Sequence, residues 1–283
     1  QLGAALKMGE LHARVVEQTT LQERFAREQL THEMETARRI QTALAPSDLR
    51  APGLQVAAET VPAADIGGDY YDVLPVAGGC WLGIGDVAGH GLMSGLIMMT
   101  IQTIVRTLVD ARPDADPAAL VVDVNRLLVT KLHHRLRRGE HATFTLLRVF
   151  RDGRVRFAGA HEPIVVWRAA TRTCELVETE GTWLGLVADI REATVDREIV
   201  LSRDDLLVLF SDGLSDARNA RDDRFGLEAI CRIVEAHAMT TPDVVHAELI
   251  TAVRAWAPAL QDDVTCVVVR FTGLPAAPQG GEA

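Results

Sequence analysis

The sequence predicts an α+β fold in which antiparallel sheets are layered with helices. Short β-rich runs bounded by turn residues follow one another without an intervening helix. The helical patterns come in groups instead of alternating with the strands. One Asp-Gly pair, Asp152-Gly153, joins two of the runs as a hairpin. A doubly wound parallel sheet would alternate strand and helix regularly, and this order does not. No internal repeat is found.

Taken in order, the chain opens with a stretch from about Leu11 to Leu44 that lacks Pro and Gly and is dense in charge, the composition of a long exposed helix. Pro46 ends it. Leu30, Met34, Ala37, Gln41 and Leu44 recur at spacings of four and three, the seam of a coiled coil with Gln41 as a polar interruption. The same spacing also fits an amphipathic helix packed on its own domain, so homodimerisation and self-packing both stand. Strands are expected at Leu54 to Thr60, Tyr70 to Leu74, Cys80 to Gly85, Thr143 to Phe150 and Arg154 to Ala158. Between the third and fourth lie helices at Leu92 to Leu108 and Pro117 to Leu136, the second capped by Asp116 with Pro117 in its first turn. Further strands are expected at Ile164 to Arg168, Thr194 to Leu201, Leu206 to Phe210 and Val264 to Phe271, with helices near Leu227 to Ala238 and Pro242 to Trp256. The tail after Thr272 is rich in Pro, Gly and Ala and is expected to be disordered.

The 283 residues are 48% hydrophobic, enough for a sizeable core in one large domain plus an accessory segment. A net charge of -10 argues against a nucleic-acid partner, whose phosphates are bound by clustered Lys and Arg. Cys80, Cys174, Cys231 and Cys266 are far apart and form no Cys-x-x-Cys pair, so they read as reduced core residues of a cytoplasmic protein. The most apolar stretch, Gly91 to Ile101, is interrupted by Ser94 and falls short of the roughly 20 residues that span a bilayer, so no membrane segment is expected. The opening Gln1 and the lack of a charged-then-apolar signal suggest a piece of a longer protein, with a sensor domain upstream.

The chemistry is expected where strands end in aspartate. Asp86 follows Trp81 to Gly85, Asp212 follows Leu206 to Phe210, and Asp262-Asp263 precedes Val264 to Phe271. Carboxylates at a sheet edge are costly to bury unless a cation compensates them, and an all-oxygen set without His and Cys suits Mg²⁺ or Mn²⁺ rather than structural zinc. In Gly-Asp-Val-Ala-Gly-His-Gly, residues 85 to 91, the glycines let the backbone turn so that the Asp86 carboxylate and the Val87 carbonyl face one metal. Neither Gly-x-Gly-x-x-Gly nor the Walker Gly-Lys-Ser/Thr is present, which counts against a nucleotide site. In Ile-Gly-Gly-Asp-Tyr-Tyr-Asp, residues 66 to 72, Asp69 and Asp72 lie three apart and point to opposite faces of a strand. Asp69, after two glycines, is the better ligand, and Asp72 the local cap. Each aspartate taken singly is ordinary turn chemistry; only the set points to a site.

These motifs, with Ala-Gly-Ala-His-Glu-Pro (158 to 163), Ser-Asp-Gly-Leu-Ser-Asp-Ala (211 to 217) and Asp-Asp-Val-Thr (262 to 265), occur in an order that resembles the SpoIIE-type bacterial phosphatases, a branch of the type 2C (PPM) serine/threonine phosphatases. The resemblance spans about Leu54 to Phe271, and residues 37 to 46 look like that family's linker helix. It implies a four-layer α-β-β-α sandwich of two antiparallel sheets in residues 46 to 272, a helical linker in residues 1 to 45 and a tail in 273 to 283. It also implies two Mn²⁺ or Mg²⁺ ions, with Asp86 bridging both, the Val87 carbonyl, Asp212 and Asp262 beside it, and Asp69 on the second. Asp263 is the weaker alternative to Asp262. Asp86, Asp212 and Asp262 would then act through metal-activated water, with no phospho-enzyme; consistently, no Cys-x5-Arg loop is present. Ser211 stands where many relatives have Thr. His161 reads as structural, and His90, alone in a glycine turn, reads as a hydrogen-bonding residue before a general acid. The implied substrate is a phosphoserine or phosphothreonine on an anti-sigma-factor antagonist of the STAS type. A silent phosphoprotein-binding scaffold and a small-phosphoester hydrolase are the alternatives.

Overall fold

The computed structural model of the chain describes residues 20–22, 24, 25, 27, 29, 31–46, 48–63, 66–89, 91–132 and 140–273. It divides into two compact units, Gln1–Ala43 and Leu44–Ala283. Helix α1 is continuous over 31–44, all but its last residue in the first unit. Its threonines spend their hydroxyls on the helix itself: Thr31, Thr36 and Thr42 donate to the carbonyls of Arg27, His32 and Arg38. Leu30 of the expected seam, residues 1–19 and the tail 274–283 lie outside the described residues.

The second unit contains two five-stranded antiparallel sheets. One has the order β1 (Leu54–Val61), β10 (Val264–Phe271), β9 (Leu206–Phe210), β6 (Ile164–Arg168), β7 (Thr173–Val177). The other runs β2 (Asp69–Val76), β3 (Gly79–Val87), β4 (Ala142–Phe150), β5 (Arg154–Ala160), β8 (Arg197–Val200). Alternation along each strand sends one set of side chains into the space between the sheets and the other toward the helices. Leu82, Ile84, Leu147, Leu209 and Val267 fill the inter-sheet layer. Helices α2 (Leu92–Ala111) and α3 (Pro117–Leu132) cover the second sheet through Ile101, Val105, Leu120 and Val124, which meet Trp81 and Phe144. Helices α5 (Gly226–His237) and α6 (Pro242–Trp256) cover the first through Ile230, Val234 and Leu249, against Trp167 and Phe210. The result is the α-β-β-α sandwich, with a single turn, α4 (Asp212–Ser215), after β9.

Several details differ from the sequence expectation. Strand β7, Thr-Cys-Glu-Leu-Val, escapes it because a half-polar edge strand lacks the apolar run that signals a strand. The strand expected from Thr194 begins at Arg197, because a 3₁₀ turn at Arg191–Ala193 precedes it and Thr194 donates back to the Ile190 carbonyl at 2.7 Å. The first turn of α3 is capped by Asp196, which accepts from the Ala118 N–H at 2.8 Å, and not by Asp116, whose carboxylate is taken by Arg156 at 2.8 Å. Cys80 and Cys266 are buried as expected, but Cys174 and Cys231 are half-buried neighbours where α5 crosses β7, with the Cys174 thiol 3.7 Å from the Cys231 carbonyl. Helix α2 outruns the apolar stretch seen in the sequence. At 20 residues it is long and apolar enough to cross a bilayer by length and composition alone. Its buried residues Ile97, Met98, Ile101, Val105 and Val109 belong to the core over the second sheet.

Candidate metal centre

The expected ligands gather at one end of the space between the sheets, and strand register explains why. In the β2–β3 pair Asp69 stands directly opposite Asp86, and in the β3–β4 pair Asp86 stands opposite Thr143. Opposed residues of an antiparallel pair share a face. Asp69, Asp86 and Thr143 therefore follow the parity of Leu82, Ile84 and Leu147 and face the other sheet. From that sheet Ser211, Thr265 and Thr60 share the parity of Leu209, Val267 and Ala58 and face back.

Asp69 locks the two sheets together. Its Oδ2 accepts from Ser211 Oγ at 2.7 Å and from Thr265 Oγ1 at 2.6 Å, and Thr265 Oγ1 lies 2.7 Å from Thr60 Oγ1. Burial and the neighbouring Asp86 charge still hold the Asp69 carboxyl well above the usual range, against those two donors. Asp72 is also buried but faces α2, where Arg106 and Asp110 are its charged neighbours, and its Oδ1 accepts only from the next backbone N–H, that of Val73, at 3.0 Å. It is the local cap the spacing predicts, pushed up to about 6 by burial.

Asp86 ends β3 beside Val87, whose N–H donates to the Gly68 carbonyl at 3.3 Å. A Cβ on Gly68 would stand 2.9 Å from the Val87 carbonyl oxygen and 3.2 Å from Asp86 Oδ1, so glycine is what allows this close approach. Positive φ at Gly89 (97°) and Gly91 (86°) then turns the chain into α2. His90 lies outside the described residues. Burial, then the charges of Asp212, Asp262 and Asp263, push the Asp86 carboxyl up to about 7.

Asp212 opens α4 immediately after β9, and its Oδ1 is buried without a hydrogen-bond partner. Burial and the charges of Asp262 and Asp216 raise its pKa. Asp262 is exposed and lines, with Asp212, Asp216 and Arg218, a groove of about 350 Å³. Asp263 has a different task. Its Oδ1 accepts from the Ala63 N–H at 2.8 Å and its Oδ2 from the Gly68 N–H at 2.9 Å, so it ties the segment before Asp69 to the start of β10.

Two residues of the Ala-Gly-Ala-His-Glu-Pro motif complete the surroundings. His161 joins the sheets: its Nε2 meets the Phe210 carbonyl at 3.0 Å and its Nδ1 meets Thr143 Oγ1 at 2.8 Å. A carbonyl can only accept, so Nε2 carries the proton and Nδ1 accepts from Thr143. Burial lowers the ring to about 4 and keeps it neutral. Glu162, half-buried, faces Asp212 and Asp216, and burial with these two charges raises it. The structural reading of His161 agrees with these bonds, but its partners and the place of Glu162 were not legible beforehand; the one signal was the motif's place between β5 of one sheet and β6 of the other.

The His161 bridge has a testable pH signature. A histidine held below its ordinary value binds its proton more readily unfolded than folded, so its contribution to stability is complete above about 6.5 and is lost as pH falls toward 4. Denaturation midpoints measured across that window should fall less steeply in His161→Gln than in the unsubstituted chain. Parallel curves would show that the ring does not titrate with folding.

As a donor set the cluster fits hard divalent cations. None of Asp69, Asp86, Asp212, Asp262 and Asp263 pairs with a Lys or Arg among the described residues, and one buried carboxylate oxygen is unpartnered. Unpaired carboxylates in that state are normally neutralised by protons or metal. Among the described residues, no three His, Cys, Asp or Glu side chains are already drawn together at ion-holding distances.

The family model for Stage II sporulation protein E (SpoIIE) matches residues 77–272. The chain belongs to the SpoIIE family. That family is a branch of the type 2C protein serine/threonine phosphatases, and the SpoIIE assignment covers β3 to β10, with Asp86, Asp212 and Asp262 inside it. The chain is also similar to the phosphoserine phosphatase RsbU of Bacillus subtilis (strain 168), 24% identical over 262 residues that make up 87% of this chain and 72% of RsbU. In fold it is similar to the SiaA-PP2C domain of Pseudomonas aeruginosa, with a TM-score of 0.72 at 20% identity over 87% of this chain and 98% of that one. The catalytic domain of the serine threonine protein phosphatase PstP, solved with two manganese ions, gives a TM-score of 0.57 at 17% identity over 77% of this chain and 97% of that one. Strand β1 lies outside the matched segment and pairs along its length with β10, which lies inside it.

Proposed function

We propose that the chain hydrolyses phosphoserine or phosphothreonine on a STAS-type anti-sigma-factor antagonist, with two Mn²⁺ or Mg²⁺ ions. The observation that carries this reading is the gathering of unpaired aspartates from both sheets at one end of the inter-sheet space, in a chain of the SpoIIE family. RsbU, named a phosphoserine phosphatase, supports the substrate class.

In this reading Asp86, opposite Asp69 and near Asp212, Asp262 and Asp263, would serve both ions. The Val87 carbonyl, Asp212 and Asp262 would hold one, and Asp69, through the oxygen it does not give to Ser211 and Thr265, the other. Asp263, with both oxygens committed to backbone N–H groups, is better suited to shaping the loop before Asp69. Bound ions would supply an acidified water and offset the charge of the phosphoryl oxygens. The chain's own part is to hold the carboxylates in register. Ser211 and Thr265 orient Asp69, His161 ties the Phe210 end of β9 to Thr143 beside Asp86, and the Gly68 contact fixes the Val87 carbonyl. Drawing Asp212 and Asp262 toward Asp86 on binding belongs to the proposal.

Dephosphorylated antagonist would then capture its anti-sigma factor in the cytoplasm, and pairing of α1 with a second copy would couple the enzyme to an upstream sensor. The test is phosphate release from a phosphoserine STAS protein. Release is expected with Mn²⁺ and should fall to background with EDTA. Release from an aryl phosphate alone would favour a small-phosphoester hydrolase, and a folded chain inactive on both substrates with Mn²⁺ and Mg²⁺ would favour the silent scaffold.

A further inference from the structure

Beside the aspartates lies a rigid apolar surface that the proposed chemistry does not use. Ala142 and Leu184 exchange backbone hydrogen bonds at 2.9 and 2.8 Å, and Ala142 stands opposite Val87 in the β3–β4 pair. Leu184 therefore sits two strand spacings, about 10 Å, from Val87. The Ala88 N–H, just past the metal-facing turn, donates to the His141 carbonyl at 2.9 Å. Ala142 and Leu184 point into the core over the second sheet, so by alternation His141, Thr143 and Trp183 face the side on which Asp86 lies. Trp183 indeed stacks on His141, with ring centroids 5.1 Å apart and planes 6° from parallel.

The residues that follow continue the apolar surface: Trp183 is 44% exposed, Leu186 51% and Val187 45%. The segment is held from beneath. Asn125, buried on α3, accepts from the Gly185 N–H at 2.8 Å and donates to the carbonyls of Val187 at 3.0 Å and Ala188 at 3.3 Å. A buried asparagine satisfied only by this loop is a device for fixing its shape, and a pre-shaped surface loses little entropy on binding. The cations on the same segment are already paired, Arg191 with Asp189 and Arg197 with Glu180, and the opposite flank carries Glu162, Asp212 and Asp216. Among the described residues this flank therefore offers a phosphoprotein apolar contact, the chemistry in which exposed tryptophan anchors are strongest.

We propose that Trp183, with Leu186 and Val187, is the docking surface for the folded protein that carries the phosphoserine, and that it sets affinity for the protein without taking part in the chemistry. This rests on the phosphatase reading above. The test is steady-state kinetics of Trp183→Ala and Trp183→Phe in Mn²⁺, on a phosphoserine STAS protein and on p-nitrophenyl phosphate side by side. Trp183→Ala should raise KM for the protein about tenfold with kcat unchanged, the pattern of lost uniform binding. Both constants on the aryl phosphate should hold within about a factor of two, and Phe should restore most of the loss. An unchanged KM for the protein, or an equal loss on the aryl phosphate, would overturn the docking surface. An unsubstituted chain that hydrolyses the aryl phosphate but not the phosphoprotein would remove its occupant, and inactivity on both would overturn the phosphatase reading beneath it.

Discussion

Asp86→Asn and Asp212→Asn are each expected to cut phosphate release by at least about a thousandfold, roughly 4 kcal/mol of barrier, while leaving the metal-free chain as stable as before or more so. The second half is the unusual one, since most substitutions of partly buried residues destabilise. Here the carboxylates repel. Asp86 is pushed up to about 7 by burial and by the charges of Asp212, Asp262 and Asp263, and Asp212 is raised by burial and by Asp262 and Asp216. Removing one charge with an isosteric amide relieves that repulsion. Asp263→Asn provides the contrast. Its carboxylate accepts from two backbone N–H groups, an amide offers one acceptor oxygen, and a loss of about 1–3 kcal/mol follows for the stranded partner. Thermal melts in EDTA, calorimetric Mn²⁺ titrations and phosphate-release assays on the three variants would read all of this. A fall in metal-free melting temperature for Asp86→Asn matching that for Asp263→Asn would mean that Asp86 is a structural residue.

The second large effect is expected at Gly213, where no charge is involved. A Cβ there would stand 1.9 Å from the Asp263 carbonyl oxygen and 2.8 Å from its carbon, so the turn after β9 and the start of β10 cannot both keep their places. Backbone atoms, unlike the end of a flexible side chain, do not rotate away. Gly213→Ala should cost about 3 kcal/mol or more, a fall in melting temperature of roughly 6–12 °C for a domain of this size. It should also weaken Mn²⁺ binding, since Asp212 and Asp262 flank the collision. Gly226 is the control. Its φ is 77° and nothing lies within 4 Å of a Cβ there, so Gly226→Ala meets only the left-handed penalty of about 1–2 kcal/mol. Equal melting temperatures for the two variants would show that the backbone at Gly213 yields.

How far the fold could be read beforehand follows from what each element exposes. Strands β3, β9 and β10 are buried on both faces and appear in the sequence as nearly continuous apolar runs. Strand β7 packs at a sheet edge with Thr173, Glu175 and Leu176 exposed, and carries no such signal. The cap of α3 was misread because Asp196 is remote in sequence, while the adjacent Asp116 meets Arg156 across the sheet surface. The site shows the same division. Each aspartate could be picked out because a carboxylate at a strand end is conspicuous. That Ser211 and Thr265 hold Asp69 could not be read, since these hydroxyls meet its carboxylate only when the two sheets stack. His161 stood in a quoted motif, yet its role depends on Phe210 and Thr143, one from each sheet.

One feature of the first sheet bears on when the enzyme comes into being. Strand β10 lies between β1 and β9, pairing with Leu54–Val61 along one edge and with Leu206–Phe210 along the other. Asp262 and Asp263 stand at its entrance, and Thr265 within it reaches Asp69. During synthesis, β1 therefore waits for a partner more than 200 residues away, with both its own edge and that of β9 unpaired until β10 leaves the ribosome. The same event that closes the sheet delivers the last aspartate. With the ligand set proposed above, a nascent chain would stay without phosphatase activity until its fold is complete, and a chain cut short before β10 would present open sheet edges and no finished site.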